Sequence, residues 1–230
     1  MQVPVTRRIA LLFTVALAAC DAGVTSTGFG GGTTATVRVA NASSDSLDVA
    51  SAGSVANGNG GLLFGVSSTC TSTDAAAPDL TVRKTGTGSV LTGFPTSFAV
   101  GAKYLVVAYS ANGVTQFATF PTNTFTPGSG QSGLTVFDAA SGTGNVDVYV
   151  TPTGSTAGTP SATNLSFGSS ANFFNVAAGS EAVVLTNTGT QTVVFTAGSV
   201  SLSAGRNYVL VIAPPATGTT TLRSFLVTSC

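Results

Sequence analysis

Few residues of this 230-residue sequence could catalyse a reaction, because it contains no histidine. Without histidine, a Ser-His-Asp or Cys-His arrangement is impossible, and so is a zinc or copper site built on imidazole. A lysine could activate a serine, but neither Lys84 nor Lys103 follows a serine at the Ser-x-x-Lys spacing. The sequence therefore predicts a protein that is not an enzyme and that needs no cofactor.

Carboxylates are the remaining groups with possible chemistry. Asn41, Asp45 and Asp48 lie in one oxygen-rich stretch and are the candidate ligands for a calcium ion. The stretch lacks the dense acidic spacing of an EF-hand loop, so hydrogen bonding within turns is the favoured interpretation. Asp138 and Asp147 flank a matching loop later in the chain. Carboxylates also leave open an enzyme with an unrecognised acidic site.

Aromatic side chains offer a second kind of ligand site. Tyr109, Tyr149 or an exposed phenylalanine could stack on a sugar ring. The sequence lacks tryptophan, and most of its 14 phenylalanines are expected to fill the core. Glycan binding is therefore an alternative to core packing for these residues.

The N-terminus carries the pattern of a secretory signal peptide over residues 1–19. Arg7 and Arg8 precede an apolar stretch over residues 9–16, which is too short to remain as a membrane-spanning helix. Leu17-Ala18-Ala19-Cys20 then resembles the lipobox of bacterial lipoproteins, in which the cysteine receives a diacylglyceryl group before cleavage. We therefore expect an exported cell-envelope protein anchored in a membrane through lipid on Cys20. An ordinary signal peptide with a free Cys20 is the alternative.

The identity of that membrane stays open at the level of sequence. Asp21 resembles an inner-membrane retention signal of enteric lipoproteins, but that rule varies between bacterial groups. Residues 20–35 are rich in Gly, Ser and Thr without hydrophobic periodicity, which indicates a flexible tether between the lipid and the folded part.

Two cysteines remain after lipidation, Cys70 and Cys230. An exported compartment permits disulfides, and neither cysteine has a neighbouring base or cation in sequence to make it reactive. We therefore expect a structural Cys70–Cys230 disulfide, with free thiols or an intermolecular bridge as the alternatives.

The composition excludes one large class of partner. Only 7% of residues are charged, and the net charge is zero. With Arg7 and Arg8 in the signal peptide, the remaining basic residues are few and scattered, so we expect no binding to nucleic acid. The 43% hydrophobic content is sufficient for a buried core.

Short apolar runs separated by turn residues predict β-strands after the tether. Residues 36–41 and 145–150 alternate in polarity, as half-buried strands do. Residues 104–109 and 208–213 are apolar on both faces, which is typical of central strands in a packed sandwich.

The same order of features occurs twice, about one hundred residues apart. Gly101 and Tyr104 in the first copy match Gly205 and Tyr208 in the second, with the same internal spacing. We therefore expect two tandem immunoglobulin-like β-sandwich domains, repeat 1 over residues 36–120 and repeat 2 over residues 132–230, with a linker over residues 121–131.

These landmarks resemble a bacterial domain-of-unknown-function family of secreted and lipid-anchored proteins, often in tandem. Its repeats open with Val-Arg-Val and Asn/His-Ala-Ser and carry Asp-Val-Tyr-Val later. Residues 37–39 and 41–43 match the opening in the first copy, and residues 147–150 match the later motif in the second. The first copy lacks the tyrosine and the second lacks the arginine. The resemblance implies the fold and the location, and no activity.

The leading functional hypothesis is a non-enzymatic envelope protein with a scaffold, adhesion or assembly role. Its expected partners are the membrane, through Cys20, and another envelope protein or a glycan. A small-ligand module that binds calcium or glycan is the alternative from another class, and an unrecognised carboxylate enzyme is the third.

Overall fold

The computed structural model describes residues 33–230, which form one compact unit. The predicted signal peptide, Cys20 and most of the predicted tether lie outside the described residues. Residues 33–230 consist of strands and connecting segments, and this part of the chain contains no helix long and apolar enough to cross a membrane. The predicted all-β, sandwich-like fold class is confirmed.

The N-terminal half, residues 33–121, forms two sheets. Its strands are β1 (Thr34–Ala42), β2 (Leu47–Ser51), β3 (Ser54–Val55), β4 (Thr71–Asp74), β5 (Leu80–Lys84), β6 (Lys103–Ala111) and β7 (Val114–Pro121). One sheet has the order β4-β1-β6-β7 and the other β3-β2-β5. β1 and β6 pair in parallel, and the other pairs are antiparallel.

The C-terminal half, residues 131–230, also forms two sheets. Its strands are β8 (Gln131–Asp138), β9 (Val146–Thr151), β10 (Ala162–Leu165), β11 (Phe174–Ala177), β12 (Gly179–Asn187), β13 (Val193–Leu202), β14 (Asn207–Ala213) and β15 (Arg223–Thr228). The orders are β11-β8-β14-β15, with β8 and β14 parallel, and β10-β9-β12-β13. The first of these orders repeats the topology of β4-β1-β6-β7.

Three apolar clusters hold the sheets together in four layers. One cluster fills the N-terminal sandwich, with Val37 and Val39 of β1 facing Val49 and Val82. A second fills the C-terminal sandwich between β8, β14 and the β9–β12 sheet. The third lies between the sheets that contain β1 and β8, and we call it the junction. The two sandwiches therefore share a buried interface.

The central strands are apolar on both faces because each face packs against a different layer. In β6, Val106 points into the N-terminal sandwich while Leu105 and Val107 point into the junction. In β14, Leu210 points into the C-terminal sandwich and Val211 points into the junction. The sequence correctly predicted that these runs are central strands.

Each parallel pair begins at a glycine in a left-handed conformation. Gly101 and Gly205 have φ angles of +72° and +73°, which a residue with a side chain adopts only with strain. The Gly101 N–H donates to the carbonyl of Thr34 over 2.9 Å, and the Gly205 N–H donates to that of Gln131 over 2.7 Å. Each turn thus joins the entry to β6 or β14 with the start of the strand beside it.

Two tyrosines anchor the same turns. The hydroxyl of Tyr104 accepts the N–H of Ala99 over 3.1 Å, and that of Tyr208 accepts the N–H of Ser203 over 3.0 Å. Both bonds span five residues, from the strand back to the segment before its glycine. The two pairs of landmark residues therefore occupy corresponding places in the two halves.

Candidate functional site: the junction and the loops around it

The junction is an apolar core shared by both halves. β6 contributes Leu105 and Val107, and β14 contributes Val209 and Val211, which follow Tyr104 and Tyr208 by the same offsets. The other buried members are Ala40, Ala42, Phe120, Phe137, Ala139 and Val227. Corresponding strands thus supply both sides, as in an isologous interface between two identical subunits.

Aromatic rings fill the centre of the junction. Phe137 of β8 is 1% exposed, and its ring meets those of Tyr109 and Phe120 edge-on, with centroid separations of 5.1 and 5.4 Å. Its counterpart in β1 is the much smaller Ala40, which is a buried member of the same cluster.

A Phe-Gly turn from each half reaches across to the other half. Phe64 packs edge-on against Phe225 at 5.4 Å, and Phe167 packs edge-on against Tyr109 at 5.8 Å. The guanidinium of Arg223 lies 3.5 Å from the centroid of the Phe64 ring, a cation–π contact between the halves. These two reciprocal contacts lie at the edges of the junction.

The predicted Cys70–Cys230 disulfide is confirmed and ties the two halves together. Cys70 immediately precedes β4 and Cys230 follows β15, with a Cα–Cα distance of 5.9 Å across 160 positions of sequence. Such a bridge restricts the unfolded chain, and native disulfides typically contribute about 2–5 kcal/mol to stability.

Hydrogen bonds reinforce the covalent link. Arg38 donates to the carbonyl of Thr228 over 2.9 Å, and Lys103 donates to that of Cys230 over 3.1 Å. Arg38 belongs to the Val-Arg-Val motif that the sequence singled out, and it contacts the opposite half. The motif residue therefore has a structural role at the junction.

The segment between β7 and β8, which corresponds to the predicted linker, is packed against the C-terminal half. Phe125 stacks on Phe173 at 5.8 Å, and the Asn207 amide donates to the carbonyls of Thr122 and Phe125 over 2.6 and 2.7 Å. A side chain at Gly133 would collide with Asn207 and Phe125, so this close approach requires glycine. The connection is thereby fixed to the halves that it joins.

The calcium candidate Asn41 is buried at the end of β1, and its side chain holds two neighbouring loops through hydrogen bonds. Its amide nitrogen donates to the carbonyls of Asp45 and Leu62 over 2.6 and 2.7 Å. Its side-chain oxygen accepts the N–H and the hydroxyl of Ser43. The Asn41 side chain thus uses both of its polar atoms within the protein.

The two acidic candidates bind different partners. Asp45 forms a 2.6 Å ion pair with Lys84 and accepts the Thr115 hydroxyl. Asp48, on β2, accepts the Gly61 N–H and the Thr85 hydroxyl, both over 2.7 Å. These bonds, that of Gly61 above all, lower the pKa of Asp48.

The structure brings Asn41 and Asp45 to one corner and turns Asp48 toward another loop. Within residues 33–230, no three His, Cys, Asp or Glu side chains form a group able to ligate a metal. Calcium binding here stays a prediction.

In the C-terminal half, Asp138 occupies the position of Asn41. It is fully buried, and its oxygens accept the Ala140 N–H over 2.9 Å and the Thr143 hydroxyl over 3.0 Å. Burial raises the pKa of Asp138 and outweighs these two hydrogen bonds, which act in the opposite direction. The sequence identified this position without indicating its burial.

Asp147 occupies the position of Asp48 and binds the neighbouring strand β10 and the loop after β12. Its oxygens accept the N–H groups of Asn164 and Gly189, both over 2.8 Å. Burial alone would raise the pKa of Asp147, but these donors and the hydroxyl of Thr188 lower it overall. The charged form of Asp147 therefore holds the loop after β12 beside β10.

The predicted aromatic platform residues are largely covered. Tyr109 packs in the junction, and Tyr149 is only 4% exposed. The loop over residues 152–161 approaches the same face, since a Cβ at Gly154 would lie 3.4 Å from that of Ala182. Gln191 donates to the Tyr149 hydroxyl over 3.4 Å.

Sequence reasoning missed a cavity of about 460 Å³ at one end of the C-terminal half. Val194 and Phe195 of β13 line it together with Leu222, and residues 141–143 and 220–221 form its polar rim. The signal for this site was the nine-residue connection between β14 and β15, which contrasts with a two-residue connection between β6 and β7.

Comparison with known proteins identifies a family. The family model described as "Domain of unknown function (DUF4397)" matches residues 35–149, which is half of the chain. The matched segment begins at the second residue of β1, includes β2 to β8 and ends in β9. No curated protein matches the chain.

Proposed function

We propose that this chain, which belongs to the DUF4397 family, is a lipid-anchored cell-envelope protein that serves as a rigid, non-enzymatic scaffold for adhesion or assembly. The observation that carries the proposal is the junction, where an apolar core and a disulfide make one body of two sandwiches. Domains that move relative to each other have smaller and more polar interfaces.

The disulfide also supports an exported location. Stable disulfides form in oxidising compartments outside the cytoplasm, and Cys70–Cys230 is such a bond. It agrees with the signal peptide and the lipid-acceptor Cys20 that the sequence predicts. Because two or more acyl chains hold a protein stably in a bilayer, Cys20 would attach the scaffold to the membrane.

We further propose that the two halves arose by duplication of one domain. The matching positions of Gly101 and Gly205, of Tyr104 and Tyr208, and of Asp48 and Asp147 support this view. Equivalent surfaces that meet in an isologous manner are what a dimer of the single domain would form. The tandem chain is then a covalently joined form of that dimer.

Membrane fractionation tests the anchoring. The wild-type protein should incorporate a labelled fatty acid and sediment with membranes, whereas Cys20→Ala should lose the label. A matched control, Cys70→Ser, should keep the label because it alters only the disulfide. Unchanged labelling of the Cys20→Ala variant would refute the lipoprotein assignment.

Small-angle X-ray scattering tests the rigid scaffold. A compact unit of the length of residues 33–230 has a radius of gyration of about 16 Å. We expect this value for the oxidised protein across a range of salt concentrations. A clearly larger radius with a two-lobed distance distribution would show hinged domains and would contradict the scaffold proposal.

A further inference from the structure

The two halves differ in the connection between their last two strands. In the N-terminal half, Asn112 and Gly113 alone join β6 to β7, whereas residues 214–222 join β14 to β15. Arg223 fixes the base of this longer loop by donating to the carbonyl of Pro214 over 2.9 Å. Binding sites are frequently carried by loops on a rigid scaffold. The longer loop therefore makes the C-terminal half the candidate location of a binding site.

The longer loop forms one side of the cavity described above, a shallow site that is open to solvent and lined by apolar and hydroxyl-bearing residues. Val194, Phe195 and Leu222 are half-buried and pack against the C-terminal core, so they form an apolar floor. Hydroxyl groups of Thr143, Thr220 and other rim residues surround this floor. A volume of about 460 Å³ lies within the usual range for small-molecule sites.

No charged residue lines this cavity within the described part of the chain. The corresponding corner of the N-terminal half is occupied instead by the Asp45–Lys84 ion pair, with Thr115 hydrogen-bonded to Asp45. A charged ligand entering the C-terminal cavity would lose water without gaining a counter-ion, which is unfavourable. The cavity therefore selects a neutral ligand.

We propose that this cavity binds a neutral carbohydrate. A pyranose ring has an apolar face of C–H groups, which suits Phe195 and Leu222, and a rim of hydroxyls, which suits threonine side chains. The Thr143 hydroxyl donates to the buried Asp138 over 3.0 Å, so its oxygen keeps lone pairs that can accept a hydrogen bond from a ligand. This inference is independent of the scaffold role and of Cys20.

Calorimetric titration of residues 33–230 with neutral sugars tests the proposal. The probes are glucose, galactose, mannose, N-acetylglucosamine and their disaccharides. At least one should bind saturably, with a Kd of about 1–10 mM, as expected for a shallow site. Glucuronic acid and glucose 6-phosphate should bind at least about tenfold more weakly, since the cavity offers no counter-ion. Absence of saturable binding up to about 50 mM for every neutral sugar would overturn the proposal.

Isosteric variants locate the binding. Thr220→Val and Thr221→Val remove rim hydroxyls at exposed positions and should each weaken binding about two- to tenfold. Thr217→Val is the matched control, because Thr217 is an exposed residue of the same loop outside this cavity. Binding that both rim variants leave unchanged, or that Thr217→Val weakens equally, would place the sugar elsewhere and refute the assigned site.

Discussion

The two halves of the molecule use the same corner in different ways. At the end of β1, the neutral amide of Asn41 donates to two carbonyl groups, and an ion pair between Asp45 and Lys84 lies beside it. At the end of β8, the buried carboxyl of Asp138 takes the place of that amide, and a cavity opens where a longer loop replaces a tight hairpin. Two halves with the same sheet order can thus carry different surfaces at corresponding corners.

The largest expected effect comes from the aromatic centre of the junction. Phe137→Ala should lower the free energy of unfolding by about 3–5 kcal/mol, because it leaves a cavity between Tyr109 and Phe120. Urea denaturation monitored by circular dichroism measures this change. Phe167→Ala is the control, since Phe167 is 36% exposed and should cost clearly less. Equal effects of both variants would contradict the central role of Phe137.

Breaking the covalent link should have the next largest effect. Cys70→Ser should lower the free energy of unfolding by about 2–5 kcal/mol through the greater freedom of the unfolded chain. Thermal unfolding of this variant and of Cys230→Ser should agree, because both remove the same bond. The junction should persist in both variants, so separation of the halves under native conditions would contradict an apolar interface that holds by itself.

Exchanging Asn41 and Asp138 tests whether each corner depends on its own side chain. Asn41→Asp should lower the free energy of unfolding by about 2–3 kcal/mol at pH 7, since the carbonyls of Asp45 and Leu62 lose their donor and face a buried carboxylate. Part of the loss should be regained at low pH, where the new carboxyl is protonated. If the free energy of unfolding of Asn41→Asp did not change between pH 7 and low pH, a buried carboxylate would not be the cause of the loss.

The reverse exchange should have the smallest effect, and it should be favourable. The pKa of Asp138 is raised by burial, so its protonated form favours the folded state. That contribution is complete below the carboxyl pKa of the unfolded chain and is lost as the pH rises through the higher folded-state pKa. Asp138→Asn should therefore stabilise the protein by about 1 kcal/mol at pH 7 and by less at pH 3.

The control for this prediction is Asp147→Asn, at the position of a carboxylate with a lowered pKa. Its native contribution is present above the unfolded-state pKa and is lost as the pH falls, so this change should destabilise the protein at pH 7. A stabilising Asp147→Asn would undermine the interpretation of both aspartates.

The sequence predicted most of the strand framework because apolar periodicity reflects burial directly. The run from Tyr104 to Tyr109 correctly indicated a central strand, and the parity of the cysteines led to the Cys70–Cys230 bridge. The sequence could not predict the junction, because a strand that is apolar on both faces does not reveal which layer covers the second face. Residues 105 and 107 therefore gave no sign of their partners in β14.

The polar corners and the cavity were harder to predict for a different reason. Asn41 and Asp138 are buried by loops whose course depends on residues far away in sequence, so the predicted turn hydrogen bonding did not indicate their burial. Phe195 lies in a strand of mixed polarity, and residues 214–222 are mostly small or hydroxyl-bearing. Neither segment has a periodic signal, although together they line one cavity.

The parallel pairing of β1 with β6 has a consequence for how the protein reaches its native state. β1 can form this pairing only when β6, a strand much later in the same half, is present. Such non-local pairing slows folding. If the chain is exported from its N-terminus, as proposed above, the junction face of Leu105 and Val107 is exposed to water until β14 follows. An envelope chaperone that shields apolar sheet faces is therefore expected to raise the yield of the folded protein without changing its stability.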